Sequence, residues 1–341
     1  MDSIAVLYSL KKDEKPRKID SNVSGELHIN YCKLPLDKGK DYERFLDFGF
    51  MINEAAIDIH TVYFYLPFSL SDNDLEDLGE CLHKNNFICT LFNDDLNIHS
   101  NTHNPSYYTI KPSNSDRDAF WLYILGKDNF KIEEMSNGGS LLSVCIKSLP
   151  QNAQGVIENN DSNKQRLKRN LYFRFRIKNI SNKDVFFKEN LSNDILQSAF
   201  SKSEMVDLKI NEKRNIDCKV LEELLKDKNL FSFNKIHFFF IASLREEEVR
   251  GSENFKDCRL LNPSRWKDYI SGIDIEKHKC IAYHWVKKAE KTPFTKFSLY
   301  FRTIYKERNW VHIIKYCLVV VLLGLIGSFV ASVIYAGIQT L

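Results

Sequence analysis

Apolar and polar residues alternate with a period of two over much of the chain, and only short stretches follow the period of a helix. Residues 26–34 (ELHINYCKL), 59–66 (IHTVYFYL), 107–110, 119–125, 140–146 and 280–286 (CIAYHWV) read as strands rich in β-branched and aromatic residues. Residues 171–178 alternate cleanly, with Leu171, Phe173, Phe175 and Ile177 on one face and Tyr172, Arg174, Arg176 and Lys178 on the other. Residues 236–242 (IHFFFIA) are almost continuously apolar, the pattern of a strand covered on both sides.

Helical signals are fewer. Residues 71–84 offer Ser71 as an N-cap, acids in the first turn, and Leu75, Leu78, Cys81 and Leu82 on one face. With residues 87–92 (FICTLF) taken as a strand, 59–92 would form a small strand–helix–strand unit. Val220, Leu221, Leu224 and Leu225 mark a short helix. Gly138-Gly139 and the acidic run 246–248 read as turns.

Residues 151–169 are polar and carry few apolar side chains, which places a linker there. The expected organisation is an α/β-type subdomain over 1–150 and a strand-rich subdomain over 170–295. A basic amphipathic segment over 296–316 and a terminal apolar helix over 317–341 follow. The fold class is therefore α+β, a strand-rich cytosolic body plus one C-terminal transmembrane α-helix.

That last segment contains no Asp, Glu, Lys, Arg or His. A bilayer core takes about 20 apolar residues in a helix, so the run is long enough to span. The N-terminal MDSIAVLYSLKKDEK lacks the basic start and apolar length of a secretory signal. Within residues 287–315, eight Lys and Arg stand against Glu290 and Glu307, a net +6. The positive-inside rule then predicts a body in the cytoplasm, at the inner membrane in a bacterium, with Trp310, Tyr316 and Tyr335 as interfacial aromatics. Gly324, Ser328, Ser332 and Ala336 recur every fourth residue and would let two copies of the helix approach closely, which predicts a homo-oligomer. Residues 296–316 fit either a helix lying in the lipid interface or a strand in which Phe297, Leu299 and Phe301 alternate.

Composition sharpens this only in part. The chain has 341 residues, a mean hydropathy of −0.34 and 43% hydrophobic residues, which suits one or two globular domains and excludes a multi-span protein. The eight cysteines form no CxxC pair and read as reduced thiols used as small hydrophobes, so no zinc site and no cofactor is expected from them. The net charge of +3 conceals +7 in residues 164–178, +6 in 287–315 and −10 elsewhere.

The first of those basic patches is the best chemical candidate. Arg166, Lys168, Arg169, Tyr172, Arg174, Arg176 and Lys178 combine cations with an aromatic, as a nucleotide, a nucleic acid or another anionic partner would require. The competing expectation is a solvated sheet face paired with neighbouring acids. Asp94, Asp95, His99 and His103 have metal-ligand chemistry but sit in a loop pattern, while His237 and His284 read as core histidines. Phosphate-loop, dinucleotide, hydrolase, zincin and kinase signatures are missing.

Three functions compete. The first is a membrane-tethered sensor whose helix self-associates, an architecture that fits a membrane-acting effector of a bacterial defence or stress system. The second is a tail-anchored scaffold that holds a soluble protein partner at the membrane lipid. The third is a membrane-anchored nuclease or hydrolase built on Asp94, Asp95, His99 and His103.

Overall fold

A computed structural model describes residues 2–10, 23–35, 42–53, 59–100, 106–113, 118–146, 170–180, 186–189, 201–244, 246–251, 253–271, 273–306 and 310–339. The body is strand-rich α+β, and a C-terminal helix long and apolar enough to span a membrane follows it.

A mixed sheet of ten strands forms the middle layer. Its order is β17 (Asp257–Leu260), β18 (Cys280–Lys288), β15 (Ser232–Ser243), β2 (Ser24–Pro35), β3 (Tyr42–Ile52), β11 (Asn170–Ile177), β8 (Phe120–Tyr123), β7 (Tyr107–Pro112) and β6 (Leu96–Ser100). Short β5 (Leu75–Asp77) also pairs with β11. The β2–β15 and β8–β11 pairs are parallel, and the other pairs in this sheet are antiparallel.

Two smaller sheets cover one face. The first runs β14 (Asn229–Leu230), β1 (Ala5–Leu10), β4 (Ile59–Leu66), β10 (Ser140–Cys145) and β9 (Phe130–Glu134). The second runs β12 (Phe186–Glu189), β13 (Ser201–Ile210), β19 (Phe297–Lys306) and β16 (Glu246–Gly251). One apolar core joins all three sheets, with Ile29, Phe48, Phe50, Phe173, Phe175 and Phe240 from the large sheet, Val62 and Phe64 from the first small sheet, and Leu208 and Phe301 from the second. Burial of that aromatic area supplies the main drive for the layer packing.

The opposite face of the large sheet lies under short helices: α1 (Gly79–His83), α2 (Phe87–Phe92), α4 (Pro263–Trp266) and α5 (Ile275–His278). Helix α3 (Cys218–Leu225) instead caps the outer side of the first small sheet through Val220 and Leu224. Asp217 caps its N-terminus, accepting from Lys219 N and Val220 N. The last helix, α6, covers Trp310–Gln339.

The strands expected at 26–34, 59–66, 107–110, 119–125, 140–146, 171–178, 236–242 and 280–286 are present, as is the helix at 220–225. The strand–helix–strand unit over 59–92 is not. Residues 75–77 leave the helical pattern because they find the edge of β11, pairing Phe175 with Asp77 and Ile177 with Leu75. Residues 87–92 form α2 between Asn86 and Asn93, both in the left-handed region (φ 53° and 51°), with Phe87 and Ile88 buried. A six-residue apolar run does not discriminate strand from helix by periodicity, and tertiary packing decides.

The large sheet takes strands from both sides of the expected linker at 151–169, a segment outside the described residues: β3 pairs with β11 and β2 with β15. Residues 246–248 belong to β16 rather than a turn. Residues 297–306 take the strand alternative: β19 pairs with β13 and β16, and Phe297, Leu299 and Phe301 point into the core. The turn expected at Gly138-Gly139 joins β9 to β10, with Gly138 at φ 79°.

Candidate functional site

The alternation in β11 sorts its side chains as the sequence implies, but both faces are covered. Leu171, Phe173, Phe175 and Ile177 enter the core between the sheets, while Tyr172, Arg174 and Arg176 enter the layer beneath the helices. Arg174 is 0% exposed and Arg176 4%. Neither face is solvated, and neither guanidinium faces an open surface. Lys178, at the strand end, pairs with Glu76 at 2.8 Å. Arg166, Lys168 and Arg169 lie outside the described residues. An anion-binding face at 172–176 is thus replaced by an internal charge network.

Asp47 on β3 supplies the carboxylate of that network. Arg176 Nε donates to Asp47 Oδ1 at 2.7 Å and Nη2 to Oδ2 at 3.2 Å, a bidentate pair. Arg176 also lies over the Phe45 ring, 3.9 Å from its centroid. Tyr269, in the segment after α4, donates its hydroxyl to Asp47 Oδ2 and accepts from Arg174 Nε at 2.8 Å. Burial pushes this hydroxyl well above its usual range, so it stays protonated and able to donate. Arg174 Nη1 donates in turn to the Tyr172 hydroxyl at 3.1 Å.

The Tyr172 hydroxyl reaches the second half of the layer, 3.5 Å from His28 Nδ1. Gly49, between these strands, makes that approach possible: a Cβ there would stand 2.2 Å from the Tyr172 oxygen and 2.6 Å from Arg174 Nη1. His28 is paired with Gly49 across β2–β3 and with His237 across β2–β15. The His28 and His237 rings meet edge to face at 4.9 Å. Glu26, two residues before His28 on the same strand face, places Oε2 3.5 Å from His28 Nε2.

His284 on β18 completes the row. Its Nε2 is 2.8 Å from His237 Nδ1, one nitrogen donating to the other, and its Nδ1 is 3.7 Å from Asp257 on β17. Burial pushes His284 down to about 4 against the opposing pull of Asp257, so it is neutral at pH 7. Phe239 stacks on the His284 ring at 4.2 Å.

His237 and His284, isolated core histidines by sequence, are therefore members of one cluster with His28, Glu26 and Asp257. The Asp94, Asp95, His99 and His103 candidates are not brought together among the described residues: His99 is exposed on β6, Asp95 is exposed at the turn before it, and His103 is outside the description. Among the described residues, Glu26, His28 and His237 are the group whose ligand-type atoms converge, all within 4.8 Å of one another. All eight cysteines are free and none joins this group. The one local signal for it is the Glu26-x-His28 spacing on a strand, which puts both side chains on one face.

On the other face of the large sheet, a second buried charge group ties β2 and β3 to β13. Glu204 sits 2.8 Å from Lys33 Nζ and 3.4 Å from Arg44 Nη2. Burial alone would raise its carboxyl; Lys33 and Arg44 outweigh that and hold it below its usual range.

Helix α6 is the remaining candidate element. Ile313–Ala336 spans 24 residues, and its most apolar 18-residue stretch has a mean hydropathy of 2.8, with none of it buried against the described residues of the body. Gly324, Ser328, Ser332 and Ala336 are exposed, and a Cβ on Gly324 or Gly327 would meet nothing within 4 Å. Ser332 Oγ donates to Ser328 O at 2.9 Å, so that hydroxyl is used within its own helix. Neither any protein-family model nor any curated protein sequence matches this chain.

Proposed function

We propose that the chain is a single-pass membrane protein that holds its strand-rich body at the cytoplasmic surface, and that contacts between copies of α6 are part of how it acts. The observation that carries this is the exposed apolar helix: Ile313–Ala336 covers 24 residues, and its most apolar stretch is not buried against the described residues of the body. At 1.5 Å per residue that is about 36 Å, enough to cross a hydrocarbon core of about 30 Å with some tilt. The excess of Lys and Arg over 287–315 supports the cytoplasmic orientation. The row Gly324, Ser328, Ser332, Ala336 supports close helix approach, by packing rather than through the Ser332 hydroxyl.

The test has two arms. In intact cells the exposed Cys218 and Cys258 of the body should resist a membrane-impermeant maleimide and label after permeabilisation. Labelling before permeabilisation would reverse the orientation. In detergent and liposomes, crosslinking should trap dimers or larger species that Gly324→Leu with Ser328→Leu removes. An unchanged crosslinking pattern would refute association through this face.

A further inference from the structure

We propose that Glu26, His28 and His237 form a binding site for a divalent transition-metal ion of the zinc type. The inference stands apart from the membrane reading, because every residue in it belongs to the large sheet of the body.

The donor set is the first argument. Two imidazoles and one carboxylate suit Zn²⁺ and its first-row neighbours, whereas Mg²⁺ and Ca²⁺ take oxygen-rich sets. Three protein ligands leave one position open on a tetrahedral ion, the arrangement of sites that also take water or a small ligand.

Distance is the second. A tetrahedral ion with bonds of about 2.05 Å spaces its ligand atoms about 3.3 Å apart. Glu26 Oε2 and His28 Nε2 already stand 3.5 Å apart. The widest separation in the group is within 4.8 Å, so side-chain rotations of an ångström or so close the site without moving a strand.

The third is what stands behind the ligands. Metal-binding histidines characteristically engage their other ring nitrogen, which fixes the ring. His28 Nδ1 faces the Tyr172 hydroxyl at 3.5 Å, and His237 Nδ1 meets His284 Nε2 at 2.8 Å, with Asp257 behind His284. In the proposed site each ring would coordinate through Nε2. Tyr172 is itself fixed by Arg174, and the backbones of β2 and β15 are paired in register at His28 and His237. Entry is open on one side: Glu26 is 32% exposed at its side chain, while His28 is 10%.

The experiment is calorimetric titration of Zn²⁺ into the full-length chain in detergent, purified through a chelator. One ion per chain is expected. Glu26→Gln and His237→Asn should each weaken binding at least tenfold, and Tyr172→Phe, which touches His28 but not the ion, about tenfold. Asp95→Asn with His99→Asn should leave it unchanged. Co²⁺ in place of Zn²⁺ should give the intense visible bands of a tetrahedral nitrogen–oxygen site, lost in Glu26→Gln. Because Glu26 is partly exposed, that variant is expected to keep the wild-type melting midpoint without metal, which separates loss of a ligand from loss of fold. Absence of stoichiometric binding, or binding retained in both Glu26→Gln and His237→Asn, overturns the proposal.

Discussion

Removing the Asp47 carboxylate tests whether the cations of β11 are internal. Asp47→Ala leaves two guanidiniums, 0% and 4% exposed, without their anion, and strips the Tyr269 hydroxyl of its acceptor. Asp47 takes two hydrogen bonds from Arg176, at 2.7 and 3.2 Å, and lies 3.8 Å from Arg174 Nη2. Breaking a buried pair from one side costs about 3–5 kcal/mol, a large share of a typical 5–15 kcal/mol stability. Urea unfolding of the full chain in detergent, followed by tryptophan fluorescence to which Trp266 (packed on Tyr269) contributes, reads this out. With a slope of about 3 kcal/mol per M, the midpoint should fall by about 1–1.7 M. Replacing the whole group, as Asp47→Leu with Arg174→Met and Arg176→Met, should recover most of the loss, since a buried ion pair is worth little against apolar side chains of similar volume. A loss under about 1 kcal/mol for Asp47→Ala would mean that water reaches the guanidiniums, and would reinstate an open basic face on β11.

Three further outcomes are expected. Gly49→Ala should destabilise by about 1–3 kcal/mol, because its methyl would meet Tyr172 and Arg174 at 2.2 and 2.6 Å; the cost should shrink in Tyr172→Phe, and full additivity would sink the explanation. Burial pushes Asp77 up to about 7 against an ordinary value of 3.8, so between these values its folded form holds a proton that the unfolded chain has released; wild-type stability relative to Asp77→Asn should be fully present below about pH 3.8 and lost as pH rises through about 7, by at most about 4 kcal/mol, and a flat difference curve would contradict this. Leu323→Arg with Ile326→Arg, mid-helix in α6, should cost about 6–8 kcal/mol of insertion free energy and render the protein extractable by alkaline carbonate; retention in the membrane fraction would argue against a span there.

Much of the strand content was legible because sheet periodicity is local. The two faces of β11 could be read from LYFRFRI alone. What lay against the second face could not, since Asp47 and Tyr269 are 129 and 93 positions from Arg176 in the chain. Local rules erred where a tertiary partner outbid them, as at Leu75–Asp77, drawn to the free edge of β11, and at Phe87–Phe92, packed on Trp266 and Tyr269. The histidine cluster was hidden for the same reason. His28 and His237 become neighbours only because β2 and β15 pair in parallel, and a parallel pair needs a long crossover that leaves no short-range signature.

The link between body and span has a mechanical meaning. Strand β19 is held on one side by ten consecutive pairs with β13, from Ile210–Phe297 to Ser201–Lys306, and on the other by β16. Only residues 307–309 separate its end from α6. Tension along β19 loads its ladder in shear, where the hydrogen bonds must fail together, rather than peeling them one at a time. A pull on α6 would therefore be shared between this ladder and the core contacts of Phe297, Leu299 and Phe301. The body thus meets α6 through an interior strand of its sheet, not through one of the edge strands β12 or β16.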